Sequence, residues 1–235
     1  GKTTMVKLLC RLYDPDGGRV MLNGRNVREY DYEEYLRRFS VVFQDFQLLA
    51  LPLGENVAGG KDYDAARVRD CLEKAGFGKR LQRMKDGLST FLYRNMDQDG
   101  VEISGGEAQK IALARALYKD APIVVLDEPT AALDPVSEHE VYSGFRNLVG
   151  GRTAIFISHR LSSCRFCDEI LVFHQGQLVQ RGSHEELVKE GDGLYASMWR
   201  AQAQYYEQDG AFVKQPCSTD SPSCELLSYM LTLKQ

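Results

Sequence analysis

Residues 101–134, VEISGGEAQKIALARALYKDAPIVVLDEPTAALD, decide how the rest of this chain is read. Ser104 is followed at the third position by Glu107, just ahead of an apolar-periodic run, which is the capping-box pattern of a helix start. Gly105 and Gly106 fall in that first turn, where a missing side chain lets another group approach the backbone. Ile111, Ala114, Leu117 and Tyr118 recur at helical spacing, which predicts one buried face. Pro122 disfavours helix at Ala121 and ends the run. Residues 123–126 are continuously apolar, as a strand buried on both faces must be, and Asp127 and Glu128 follow at once. Ligands of open α/β sheets bind beyond the carboxyl ends of strands, so two acids there are candidates for chemistry. The plainer alternative is an acidic helix N-terminus.

Working outward, other apolar runs deliver polar groups in the same way. Residues 40–43 read as a short buried strand followed by Gln44, and residues 153–157 as another followed by Ser158 and His159. The chain opens with Gly1, Lys2, Thr3 and Thr4, which match the last positions of the phosphate loop G-x-x-x-x-G-K-[ST], Gly1 standing as its second glycine. Asn23-Gly24 signals a hairpin, and Asp31 with Glu34 starts a short helix through Arg37. Val68, Cys71, Leu72 and Ala75 mark a helix stopped by Gly76, and a weaker helix is expected over 79–85. These helices read as a small helical subdomain, about 59–120. Thr130 to Asp134 form a tight loop between prolines, and a helix carrying Val141, Phe145 and Leu148 follows. A second hairpin is expected around Gln175-Gly176, a helix capped by Ser183 and Glu186, and an amphipathic helix over 194–206 with Leu194, Met198 and Ala201 on one stripe. Residues 207–235 lose all periodicity, so disorder or a non-native tail is expected, although residues 226–233 are apolar enough to dock.

Composition narrows the function. The 235 residues suffice for one large domain, and 43% hydrophobic with 26% charged residues is ordinary for a soluble fold. A formal net charge of −4 gives no basic field for a nucleic-acid backbone, so no nucleic acid is expected as partner. No apolar run approaches the roughly 18 residues of a membrane helix, and no signal-peptide pattern opens the chain. Six cysteines without a secretory signal read as reduced thiols in a cytosolic setting. Cys164 and Cys167 form a Cys-x-x-Cys pair, but no second pair stands at zinc spacing, so ordinary thiols are favoured over a redox or metal site.

Taken together, Lys2 can neutralise β- and γ-phosphates, while Thr3 and Asp127 can hold magnesium. Glu128 can take the proton of an attacking water, His159 can contact a γ-phosphate, and Gln44 can reach the ion or the water. With these residues in view, the chain from Gly1 to about Tyr206 resembles the nucleotide-binding (ATPase) domain of an ABC transporter of the exporter class, cut within Walker A. The signature is ISGGEAQK at 103–110, Walker B is IVVLDEPT at 123–130, the D-loop is Ala132-Leu133-Asp134, the histidine switch is ISHR at 157–160, and the Q-loop is VVFQDF at 41–46. The resemblance implies an α/β fold: a P-loop NTPase-type, mostly parallel sheet, an inserted helical subdomain bearing the signature, and a small antiparallel β part. It implies ATP and Mg2+ as cofactors, with Gly1, Lys2, Thr3, Thr4, Gln44, Asp127, Glu128 and His159 at the nucleotide.

It also implies a partner, a second ABC ATPase domain bound head to tail. Ser104, Gly105, Gly106 and Glu107 would serve that partner's nucleotide, and Ala132, Leu133 and Asp134 would lie at the pairing face. A transmembrane domain is expected on the same full-length polypeptide, and the location is the cytoplasmic face of the cell membrane. The segment with Glu55-Asn56-Val57 would face the coupling helices of that domain. Two departures stand out: Gln98 occupies the position where exporters commonly carry a glutamate, and the first half of the phosphate loop is absent, so weak ATP binding is expected of the chain alone. Two other readings are a soluble ABC ATPase of DNA repair or translation and a non-hydrolysing binding module. The short span from Lys2 to Ser104 and the exporter-like Q-loop argue against the first. Intact Glu128 and His159 argue against the second.

Overall fold

A computed structural model describes residues 1–129, 150–158, 161–208 and 230–234. The chain divides into two compact units, one of residues 28–152 and one of residues 1–27 with 153–235.

In the first of these units, helix α2 (Tyr32–Arg37) starts where the Asp31 side chain accepts a hydrogen bond from the Glu34 amide, as the sequence suggested. Strands β3 (Phe39–Val42) and β4 (Ile123–Asp127) pair in parallel, Phe39 opposite Ile123 and Val42 opposite Leu126. Both therefore end on one side, β3 one residue earlier than expected and β4 including Asp127. Helix α3 (Leu53–Ala58), helix α4 (Ala65–Lys74) and β3 all pack on α6 (Gly105–Lys119). Buried residues of this unit include Leu53, Val57, Val68, Leu72, Phe77, Leu92 and Ile111, all nearly solvent-free. The weak helix expected over 79–85 is only a single turn, α5 (Gly78–Leu81), because few apolar residues there find the core: Leu81 and Met84 are buried while their neighbours are not. Helix α6 ends at Asp120, whose φ of 57° is left-handed, so the stop is a cap ahead of Pro122. Glu55-Asn56-Val57 lies within α3, where Asn56 and Val57 are buried. Nearby, Leu49 is 58% exposed.

In the other unit, α1 (Lys2–Leu9) buries Val6 and is followed by the hairpin of β1 (Met21–Leu22) and β2 (Arg25–Asn26). Asn23 and Gly24 both have positive φ, 50° and 77°, as a type I′ turn requires. Strand β5 (Thr153–Ile157) has the bounds expected from its apolar run. β6 (Glu169–His174) and β7 (Gln177–Gly182) form the second hairpin, turning at Gln175-Gly176. Met230–Lys234, in the stretch expected to lack order, forms strand β8, which pairs antiparallel with both β5 and β6. Helix α7 (His184–Lys189) carries the Ser183/Glu186 capping box, and α8 (Leu194–Gln208) follows. Its buried stripe differs from the expected one: Tyr195, Ala196 and Met198 are buried, whereas Ala201 is exposed. Tyr195 anchors a core with Leu161, Cys164, Ile170, Val172 and Leu187. Its hydroxyl lies 2.7 Å from His184 Nδ1, and burial pushes the phenol pKa up and that of His184 down. Cys164 is buried and Cys167 half-buried.

Candidate functional site

Parallel pairing of β3 with β4 brings the carboxyl ends of the two strands to one edge. Asp127 closes β4 and is 1% exposed, a carboxylate out of water that needs a cationic or hydrogen-bonding partner. Glu128 comes next, half-buried, with a left-handed φ of 50°. That conformation costs a non-glycine residue about 1–2 kcal/mol and swings the chain off the strand. Gln44 stands two residues beyond β3 and is exposed.

The helix α6 enters the same region by its N-terminus. The Ser104 hydroxyl accepts from the Glu107 amide at 3.3 Å, and Glu107 Oε2 accepts from the Ser104 amide and hydroxyl, each at 2.9 Å. Arg80 Nε forms an ion pair with the other Glu107 oxygen at 2.9 Å. Burial pushes the Glu107 carboxyl upward, but the Ser104 hydrogen bonds, with Arg80 and Lys110 nearby, outweigh it and hold the pKa below the ordinary value. Ser104 and Gly105 remain exposed at the start of the helix.

These elements enclose a cleft of about 470 Å3 lined by Gln44, Phe46, Tyr93, Gly105, Gln109 and Glu128, among others. Gln44, Gly105 and Glu128 were expected at a site; Phe46, Tyr93 and Gln109 were not singled out. A signal for Gln109 existed, since it shares helical spacing with Ala112, Leu113 and Ala116, all buried, and so had to be a buried polar group. Its Nε2 donates to the Glu128 carbonyl at 3.3 Å.

In the other unit, Lys2 and Thr3 are half-buried and Gly1 and Thr4 exposed at the start of α1, where the Met5 amide donates to the Gly1 carbonyl at 3.0 Å. Lys2, Thr3 and Thr4 set first-turn amides beside an ammonium and hydroxyls, an arrangement suited to phosphate. His159 and the Ala132-Leu133-Asp134 segment lie outside the described residues, as does the helix expected with Val141, Phe145 and Leu148.

Comparison with known proteins agrees with this assembly of parts. Residues 1–131 match the sequence pattern of the family described as ABC transporter. The chain is 43% identical over 211 residues to an ATP-dependent lipid A-core flippase of Burkholderia orbicola (strain AU 1054), covering 90% of this chain and 34% of that protein. It is 42% identical over 204 residues to the corresponding flippase of Paraburkholderia xenovorans (strain LB400), covering 87% of this chain and 33% of that one. Among solved structures, a bacterial Atm1-family ABC exporter with ATP bound superposes with a TM-score of 0.79 at 37% identity, over 86% of this chain and 35% of that one. The chain thus spans about a third of the length of these relatives. The mixed α/β arrangement, with its parallel strands and small antiparallel parts, is that of an ABC ATPase. This chain belongs to the ABC transporter family.

Proposed function

We propose that the chain is the ATP-hydrolysing motor of an exporter, acting at the cytoplasmic face of a membrane beside a transmembrane domain on the same full-length polypeptide. ABC ATPase domains bind ATP, generally with magnesium. The donor set fits that ion: a threonine hydroxyl (Thr3), an amide oxygen (Gln44) and the buried carboxylate of Asp127 are the hard oxygen ligands Mg2+ takes. Bound there, the ion would neutralise charge on the β- and γ-phosphates.

The chain's own groups divide the remaining work. Lys2, with the amides at Gly1, Thr3 and Thr4, binds phosphate oxygens. Glu128 accepts the proton of the attacking water, with Gln44 orienting that water and His159 contacting the γ-phosphate. Ser104, Gly105 and Gly106 offer a hydroxyl and a helix N-terminus to the nucleotide of a second ABC ATPase domain, paired head to tail, and Glu107 holds Ser104 in place. Ala132, Leu133 and Asp134 contribute to the pairing face.

One observation carries this reading: Glu128 opens onto the same cleft as Gln44 and Gly105, next to a sealed Asp127. Export is supported by the likeness to the flippases and the Atm1-family exporter. The test is magnesium-dependent ATP hydrolysis by the protein in its transmembrane assembly, with and without Lys2→Ala. Lys2→Ala is expected to weaken ATP binding at least about tenfold, the loss of one charge-assisted contact. Hydrolysis that needs neither magnesium nor Lys2 would refute the proposal.

A further inference from the structure

We infer that Gln109 is a positioning residue for Glu128, tying the helix that starts at Ser104 to the backbone of the general base. The inference rests on the reading of Glu128 proposed above.

Gln109 is 4% exposed on a helix face otherwise made of Ala112, Leu113 and Ala116. A buried amide is costly unless its hydrogen bonds are made. Its Nε2 donates to the Glu128 carbonyl, while Oε1 is buried with no hydrogen-bond partner among the described residues. Turning the amide over would set oxygen against oxygen, so chemistry fixes its orientation. An apolar side chain of equal length would avoid the unmet acceptor, so the amide at this position is not explained by stability.

Its side-chain bond meets the chain at a residue of left-handed backbone. Glu128 holds a left-handed φ of 50°, a conformation that persists only when its surroundings enforce it. Anchoring the Glu128 carbonyl fixes the peptide that follows, and with it the direction in which the carboxylate leaves the backbone. Gln109 lies one and a half helical turns beyond Ser104 at roughly 3.6 residues per turn. A shift of the start of α6, where the partner's nucleotide would be met, therefore reaches Glu128 through this bond. Gln44, Gly105, Gln109 and Glu128 line one cleft, so no further element need move.

The test uses Gln109→Met, which keeps length but cannot donate, and Gln109→Glu, which sets a carboxylate against the carbonyl, in the protein's transmembrane assembly. Gln109→Met is expected to lower kcat about tenfold and Gln109→Glu further, with KM for ATP changed by less than about twofold. In a Glu128→Gln background, Gln109→Met is expected to cause no further loss. The melting temperature of Gln109→Met should not fall, and amide exchange over residues 124–129 should quicken. Three results would overturn the inference: kcat kept within twofold in both variants, an equal loss in both backgrounds, or a loss that tracks a lower melting temperature. If Glu128→Gln abolishes turnover and the Gln109 variants do not alter it, the inference alone falls. If Glu128→Gln leaves turnover unchanged, the reading of Glu128 as base falls and takes the inference with it.

Discussion

Arg115, in the middle of helix α6, donates from Nε to the main-chain carbonyl of Asn56 at 2.8 Å. The same guanidinium reaches the Gln47 carbonyl at 3.4 Å and Asn56 Oδ1 at 3.5 Å, both at the long end of the range. Asn56 is 3% exposed, and its side chain accepts from the Leu49 amide and donates to the carbonyls of Leu49, Leu51 and Pro52. The segment following Gln44 is therefore held by polar bonds to the same helix that Ser104 caps. Burial pulls the Arg115 pKa down, but a guanidinium remains charged near neutrality.

Replacing Asn56 by alanine is expected to destabilise the protein by about 3 kcal/mol, since it strands buried main-chain groups. Urea unfolding checks the size, and limited proteolysis should show earlier cleavage within residues 46–52. Arg115→Lys, which cannot span both carbonyls with one planar fork, should show the same early cleavage at a smaller stability cost.

The cap of α6 gives stability a dependence on pH. The folded-state pKa of Glu107 is depressed, so its contribution is present above the unfolded carboxylate value and is lost as pH falls through the lower folded one. Denaturant midpoints measured downward from roughly pH 6 should fall in the acid range in the unaltered protein. Glu107→Gln is expected to be less stable near neutrality and to lack that component of the acid decline. Parallel curves for the two proteins would contradict it.

Gly100 is required by space. A Cβ there would lie 2.1 Å from the Tyr93 carbonyl oxygen and 2.9 Å from that of Asp97, both backbone atoms that cannot step aside cheaply. Gly100→Ala should displace the 93–100 loop, which is closed by the Tyr93 amide donating to the Val101 carbonyl. A cost of about 2 kcal/mol is expected, typical of backbone misfit. Because Tyr93 lines the cleft, ATP turnover should fall as well.

Local grammar made much of this fold legible. The Ser104/Glu107 and Ser183/Glu186 boxes, the Asn23-Gly24 turn and the run that became β5 each carry their signal within a few residues. The Asp127, Glu128 and Gln44 positions were readable for the same reason, as polar residues at the ends of apolar runs, and Gly105 as a glycine in the first turn of a capped helix. Residues whose role depends on distant neighbours were not. Arg115 and Gln109 are polar groups satisfied, or half satisfied, by segments remote in sequence, and hydrophobic periodicity has no term for them. The burial of Tyr195 was not legible because the partner that meets its hydroxyl, His184, lies on another helix. For β8 the sequence offered only an apolar stretch able to dock; its place between β5 and β6 depends on strands remote in sequence.

The most direct test is turnover of magnesium-ATP by the protein in the proposed transmembrane assembly after Glu128→Gln, alongside equilibrium ATP binding. The expected result is a loss of about 10² to 10⁴ in kcat with ATP binding retained, because the change removes a general base and little else. Turnover unchanged by Glu128→Gln would contradict the central claim that the residue ending the β4 turn performs the chemistry.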